Sequence, residues 1–400
     1  MKKVLIFSLT YFPFVGGAEV AIREITDRMP NEEFEFHMVT LRFNSKLPLV
    51  ERIGNITLHR IGFGRSGATT ADLKRFPLHL NKHWYQCAAA WHALRLHRKL
   101  HFDGTWAMMA HATGIPAGIF KTFHPSVPYL LTLQEGDPPR HIERLAWPVW
   151  PLFSRAFTRA DVVQAISTFL GAWARRRHFT GPLEIIPNGV DTARFAKVYT
   201  PEEREASRHI LGVAPETVLL VTTSRLVHKN ATDDVIRALA HLPPHVHFII
   251  YGVGPDEAML RTLAKEQGVE SRTHFMGQLS HEAMPRALSA CDIFIRPSRS
   301  EGMGNSFIEA MAAGLPVIAT QEGGIADFLA DSKRNPDKET TGWAVDKDDP
   351  RQIADTVEDI VAHPEQVRFV IEQAKILALN RYDWNLVAGK MRAVFDTLFI

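Results

Sequence analysis

The stretch Pro297-Ser298-Arg299-Ser300-Glu301-Gly302-Met303-Gly304-Asn305-Ser306-Phe307-Ile308-Glu309-Ala310-Met311-Ala312-Ala313-Gly314 follows a short apolar run and opens a helical pattern. Gly302 and Gly304 remove side chains where backbone must approach a ligand, and leave N–H groups free to point at it. Glu301 stands before the helix, and Glu309 lies further along it, still able to look toward the same place. A carboxylate accepts two hydroxyl donors, which suits the diols of a sugar or a ribose. Taken singly, Glu301 reads as a surface residue and Glu309 as a solvated helix residue. The ordered Glu, Gly, Gly, Glu pattern is far more specific than either one.

Outward from this stretch, short apolar runs alternate with longer helical patterns, which predicts an α/β chain of parallel sheets covered by helices. In the first half the strand patterns are 4–9, 36–41, 55–61, 104–109, 127–133, 161–166 and 183–186, with helices clearest at 17–29, 83–100 and 168–178. The second half starts afresh with strands near 217–223, 246–251, 272–276, 292–296 and 315–319. Between and after them come helices near 231–241, 256–267, 281–290, 304–313 and 323–330. Helices at 350–362, 365–379 and 384–398 close the chain. Turn chemistry in Pro187-Asn188-Gly189-Val190-Asp191 and the polar stretch after it place a boundary near residue 192. The expected domains are 1–192 and 193–380, with 381–400 returning to the first. Two doubly wound sheets facing each other would enclose a deep cleft beyond their strand ends.

Bulk composition agrees and excludes alternatives. Four hundred residues exceed one ordinary core, and the 46% hydrophobic and 22% charged fractions are those of a globular chain. No apolar run reaches membrane-spanning length. Val4 to Leu9 reads as a buried strand rather than a secretion signal, because Pro13 and Gly16-Gly17 interrupt it. Cys87 and Cys291 lie far apart and suggest neither disulfide framework nor metal cluster, so a reducing, cytoplasmic setting is expected. Charge is uneven: residues 1–200 hold 25 Lys+Arg against 15 Asp+Glu, and residues 201–400 hold 21 against 29. Only the first half would attract an anionic surface or acceptor.

Further motifs occur in order. Ser224-Arg225-Leu226-Val227-His228-Lys229-Asn230 lies between a strand and a helix, and Tyr251-Gly252-Val253-Gly254-Pro255 marks the next strand end. Gly16-Gly17-Ala18-Glu19 follows the first strand; it is not the spaced Gly-x-Gly-x-x-Gly of dinucleotide enzymes. With Gly314-Leu315-Pro316-Val317-Ile318-Ala319-Thr320 and Gly323-Gly324, these motifs resemble the retaining glycosyltransferases of family 4, whose mark is two glutamates separated by seven residues. The resemblance covers nearly the whole chain, most strongly 215–330.

The resemblance implies a GT-B fold of two facing Rossmann-like domains, and transfer of a hexose-type sugar from a UDP- or GDP-sugar with retained configuration. It assigns Arg225 and Lys229 to the donor diphosphate, Glu301 to the transferred sugar and Glu309 to the ribose. Gly302, Met303, Gly304 and Asn305 fall beside the donor, Gly254 near the nucleotide base, and Gly16 and Gly17 near donor phosphate and acceptor. Glu301, Arg225 and Lys229 would carry catalysis. Acceptors in the family are glycans or lipid-linked sugars, which suggests polysaccharide or lipopolysaccharide assembly. One departure stands out: Leu131-Thr132-Leu133-Gln134-Glu135-Gly136-Asp137 holds Gln134 where many members have His. Gln134, Glu135 and His111 are the candidates on the acceptor side.

No metal or other cofactor is expected, the nucleotide sugar being a co-substrate. Asp346-Lys347-Asp348 reads as a turn and helix start rather than a metal motif. Residues 140–178 interleave seven arginines with Trp147, Trp150, Phe153, Phe157 and Trp173. That mixture suits either peripheral contact with an anionic membrane or core aromatics with a solvated basic back. No nucleic-acid motif accompanies the charge.

Overall fold

The computed structural model describes residues 1–399 and divides into two compact units, Met1–Asn188 with Trp384–Ile400, and Gly189–Asp383. The junctions therefore fall at 188/189 and 383/384, a few residues from the 192 and 380 read from turn chemistry.

Unit 1 is built on eight strands: β1 (Lys2–Phe7), β2 (Phe34–Leu41), β3 (Val50–Ile53), β4 (Ile56–Ile61), β5 (Gly104–Met108), β6 (Tyr129–Leu133), β7 (Val162–Ala165) and β8 (Leu183–Ile185). Their order is β3-β4-β2-β1-β5-β6-β7-β8. All pairings are parallel except β3 with β4. Central strands such as β5 and β6 are buried along their whole length, which is why they read as unbroken apolar runs. β3 escaped the sequence reading because an edge strand with alternating exposure (Val-Glu-Arg-Ile) carries no such run.

The helix Trp384–Leu398 belongs to this unit. Its Trp384, Val387, Met391 and Phe395 join a core with Val4, Ile6, Trp106 and the helix Gly17–Thr26. Phe395 meets Trp106 edge-on at 5.2 Å. An aromatic pair of this kind adds about 0.5–1.5 kcal/mol beyond its area.

Unit 2 has six strands, β9 (Val218–Thr223), β10 (Val246–Tyr251), β11 (Thr273–Gly277), β12 (Ile293–Arg296), β13 (Val317–Ala319) and β14 (Trp343–Ala344). They run in the order β11-β10-β9-β12-β13-β14, all parallel. Most expected helices of this half appear within a few residues. The exception is 323–330, which is a short 3₁₀ turn over Gly323–Asp327. The chain enters and leaves unit 2 side by side: Val190 N–H donates to the Tyr382 carbonyl at 2.7 Å, and Thr192 Oγ1 to Asp383 Oδ2.

Candidate active site

In unit 2 the strand order reverses between β9 and β12. Open parallel sheets bind ligands beyond the carboxyl ends of their strands at such a point. The loops leaving those two strands are Ser224–Asn230, with Arg225 and Lys229, and Pro297–Gly304, with Glu301. Topology thus brings together two motifs about seventy residues apart in sequence.

Bonds to backbone carbonyls hold the loops in register. Arg299 N–H donates to the Lys229 carbonyl at 2.8 Å, and Arg299 Nη1 to the His228 carbonyl at 2.7 Å. Asn230 Nδ2 closes the first loop on the Arg225 carbonyl at 2.7 Å. Behind it lies the turn after β10. A Cβ at Gly254 would sit 2.1 Å from the Leu226 carbonyl oxygen, so any side chain there would push the Arg225 loop out of place. Within the unit, then, Gly254 supports the Arg225 loop.

The two glutamates differ. Glu301 has a mostly covered side chain with both oxygens engaged: Oε2 accepts from Arg296 Nη2 at 2.5 Å, and Oε1 from the Gly302 N–H at 2.9 Å. Glu309 is buried, with His281 Nε2 3.6 Å from its Oε1. Burial holds its carboxyl above the ordinary range, while His281 and Arg296 pull it back down. Neither glutamate is the freely solvated residue that each resembles in isolation. Met303 is buried, so what it can offer outward is backbone, and Asn305 Nδ2 donates to the Gly189 carbonyl at 3.4 Å.

Arg299 is the hub of an ionic cluster in which Asp233 and Asp234 are buried and Asp348 is exposed. Its Nη1 and Nη2 reach Asp233 and Asp234 at 2.8 Å each, and its Nε reaches Asp348 at 2.5 Å. Arg237 adds a bond to Asp233 at 2.8 Å from a more exposed position. Burial, then the neighbouring Asp233 charge, pushes the Asp234 carboxyl up to about 6. Asp348 is thus a partner of Arg299, and Asp349 caps the next helix by accepting from Gln352 N–H at 3.0 Å.

In unit 1 the strand order reverses between β1 and β5. The loop after β1 carries Gly16 and Gly17, and the one after β5 carries His111. Gly16 N–H donates to Glu19 Oε2 at 2.8 Å, and Thr10 Oγ1 to Glu19 Oε1 at 2.6 Å, so Glu19 closes the start of the following helix. Among the described residues beyond its own helix turn, no atom lies within 4 Å of where a Cβ on Gly17 would stand. Glu135 is buried; its Oε1 accepts from Ala110 N–H at 2.6 Å and lies 3.5 Å from His111 Nδ1. Its Oε2 has no hydrogen-bond partner among the described residues. Gln134 Oε1 accepts from Asn188 Nδ2 at 3.3 Å, a neutral bond that an imidazolium could not make.

The basic flank divides between its two readings. Phe153, Phe157 and Trp173 are fully buried, whereas Trp147 is 75% and Leu145 66% exposed beside exposed Arg140 and Arg144. Among the described residues no helix is long and apolar enough to cross a membrane, and no group of three or more His, Cys, Asp or Glu could hold a metal ion.

Sequence reasoning missed Arg296 and His281. Arg296 carried a signal in hindsight: an arginine ending the apolar strand Ile293-Phe294-Ile295 must find partners where it is buried. His281 sits before the helix Met284–Ser289, and only the fold brings it to Glu309.

Comparison with known proteins gives the same picture for both halves. Residues 203–376 match the family described as "Glycosyl transferases group 1", and residues 15–194 match "Glycosyltransferase Family 4". The GDP-mannose-dependent alpha-(1-6)-phosphatidylinositol monomannoside mannosyltransferase of Mycolicibacterium smegmatis is 31% identical over 266 residues, 63% of this chain and 67% of that protein. A GDP-mannose-dependent monoacylated alpha-(1-6)-phosphatidylinositol monomannoside mannosyltransferase of Corynebacterium glutamicum is 27% identical over 321 residues, 75% and 78% of the two chains. Among solved structures, Anabaena HepE in complex with UDP and glucose superposes with a TM-score of 0.77 at 19% identity, covering 100% of both chains. Matched in order along both halves, with two parallel-sheet units and the paired glutamates in place, the chain belongs to glycosyltransferase family 4 and has its GT-B fold.

Proposed function

We propose that this glycosyltransferase moves a hexose from a nucleotide-diphosphate sugar to a hydroxyl of a lipid-linked or glycan acceptor, with the anomeric configuration retained. The observation that carries the reading is the switch point of unit 2. There the Arg225 and Lys229 loop adjoins the loop and helix bearing an arginine-held Glu301 and a buried Glu309. Two cations beside a diphosphate stabilise negative charge as the leaving group departs. Glu309 would take the ribose hydroxyls, Glu301 the transferred sugar, and the backbone of Gly302 to Asn305 would line the donor. Unit 1 would present the acceptor near Gly16, Gly17, His111, Gln134 and Glu135.

Glu301 is engaged through both oxygens, which fits a hydroxyl acceptor better than an attacking nucleophile. In the resulting front-face reaction the bond from anomeric carbon to phosphate oxygen breaks as the bond to the acceptor oxygen forms. The acceptor proton passes to the departing phosphate. The mannosyltransferases named above make GDP-mannose the first donor to try, and HepE's UDP makes a uridine donor the second.

The test is a thermal-shift panel of GDP, UDP, GDP-mannose and UDP-glucose, followed by donor turnover with and without EDTA. One nucleotide series should raise the melting temperature, since a ligand of the native state stabilises it. Turnover should survive EDTA, and the product should keep the donor's anomeric configuration. Nucleotide binding with no turnover of any nucleotide sugar would leave only a binding protein on this fold.

Glu309 supplies a pH test. Its carboxyl is raised in the folded chain and binds hydroxyls best when ionised, so nucleotide affinity should be greatest at high pH. Weakening on acidification should set in above the usual carboxylate value of about 4.3, by at most about tenfold per unit. Glu309→Gln should flatten the profile; an unchanged profile would remove Glu309 from the ribose site.

The exposed Leu145 and Trp147 beside Arg140 and Arg144 support peripheral attachment to an anionic membrane face. Vesicles containing anionic lipid should sediment the protein, and Trp147→Ala should weaken this. Equal sedimentation with neutral vesicles would argue against a charge-assisted contact.

A further inference from the structure

Arg296 ends β12 with its side chain almost wholly enclosed, 7% exposed. A guanidinium buried to this extent is expensive unless it is hydrogen-bonded, and here each of its three nitrogens has a partner. Nε donates to Ser298 Oγ at 3.1 Å, Nη1 to Ser306 Oγ at 2.8 Å, and Nη2 to Glu301 Oε2 at 2.5 Å. The Phe307 ring lies against it, 4.1 Å from its central carbon. The three acceptors come from the loop's start, its middle and the first turn of the helix Asn305–Ala312. One rigid fork therefore sets the shape of the loop.

Gly304 fits the same arrangement. It has φ +88, and a Cβ there would stand 2.5 Å from Arg296 Nη2 and 2.6 Å from the Phe307 ring. The glycine thus leaves room for the guanidinium beneath the loop, in addition to any approach by a ligand. An uncharged side chain at 296 would leave Glu301 only the Gly302 N–H and no cation.

We propose that Arg296 is a positioning residue for sugar transfer: it fixes the carboxylate of Glu301 in place and thereby orients the transferred sugar without touching it. The proposal rests on the reading of this switch point as the nucleotide-sugar site. It predicts that the nucleotide and the sugar respond differently, because none of the fork's three bonds goes to Arg225, Lys229 or Glu309, and Glu309 feels Arg296 only as a neighbouring charge.

The experiment compares Arg296→Met, Arg296→Lys, Glu301→Gln and the Arg296→Met/Glu301→Gln double variant. GDP binding and GDP-mannose hydrolysis are measured, with UDP and UDP-glucose alongside. Arg296→Met should lower kcat/KM about 10–100-fold, the usual effect of losing a group that holds a ligating side chain, with nucleoside diphosphate affinity within about twofold. Arg296→Lys should recover part of the rate. The double variant should be no slower than Glu301→Gln, the signature of one residue acting through the other.

Additive losses in the double variant, or a parallel loss of nucleoside diphosphate affinity, would overturn the proposal and leave Arg296 a structural residue. If Arg296→Met fails to fold, Ser306→Ala loosens only one branch of the fork. It should cost about two- to fivefold in kcat/KM, and nothing further in the Glu301→Gln background. A wild type that binds neither GDP nor UDP would overturn the site reading itself, and this proposal with it.

Discussion

Replacing Arg299 with alanine should destabilise unit 2 by about 3–5 kcal/mol, the usual cost of removing one member of a buried ion cluster. Asp233 and Asp234 are nearly buried and would keep only Arg237, which reaches them from a more exposed position. The same change would release Asp348 and the His228 carbonyl, and so loosen the Lys229 loop. For a unit of this size the melting transition should fall by about 10 °C. Because the chain has two units, the shift should appear in one calorimetric transition rather than both. A loss under about 1 kcal/mol would mean that Arg237 and water suffice.

The pH sign follows from Asp234. Its folded value of about 6 lies above the ordinary unfolded one of about 3.9, so the folded chain holds the extra proton between them. The stability contributed by that proton is full below about pH 4 and is lost as pH rises through 6. Asp233 is shifted downward and contributes in the opposite sense. In Arg299→Ala both carboxylates lose their main counter-charge and should titrate higher. The penalty should therefore be smaller at pH 5 than at pH 8. Asp233→Asn/Asp234→Asn in the Arg299→Ala background should restore part of the stability, by removing the unpaired charge.

The second large effect is chemical. Arg225→Ala should reduce kcat/KM for the nucleotide sugar about 10²–10³-fold, the range found on removing one preorganised group that stabilises developing negative charge. Lys229→Ala should act similarly. Arg225 is exposed at its loop, so its removal should leave the melting temperature of the free protein nearly unchanged. That separates it from Arg299, whose loss should lower stability as well. An Arg225→Ala enzyme retaining more than about a third of wild-type kcat/KM would rule out its role at the diphosphate.

Much of the fold was legible because buried parallel strands are nearly continuous apolar runs and their helices carry a 3.6-residue rhythm. β9, β10 and β12 fell within a residue or two of their predicted spans. The antiparallel edge strand β3 and the 3₁₀ turn at Gly323–Asp327 did not show. An edge strand has no uniform burial, and a glycine pair can start a helix or a turn with equal local ease. The ordered motifs around Arg225, Lys229, Glu301 and Glu309 were visible because each begins at a strand end, where local sequence and loop chemistry coincide, Glu309 following on the helix behind the loop.

By itself, then, the sequence determined the class of the chain, the order of its elements and the residue types at its strand ends. These depend on local periodicity and on motifs read along the chain. Only the tertiary structure decided which groups are satisfied and by what. It set Arg296 under Glu301, brought His281 to Glu309, and made Arg299 a hub joining segments 233–234, 228–229 and 348. The physical reason is that a buried charge is tolerable only with partners close at hand. The partners of Arg299 and Glu309 are remote in the chain, and those of Arg296 meet it only through the folded shape of its own loop, relations that no local pattern records.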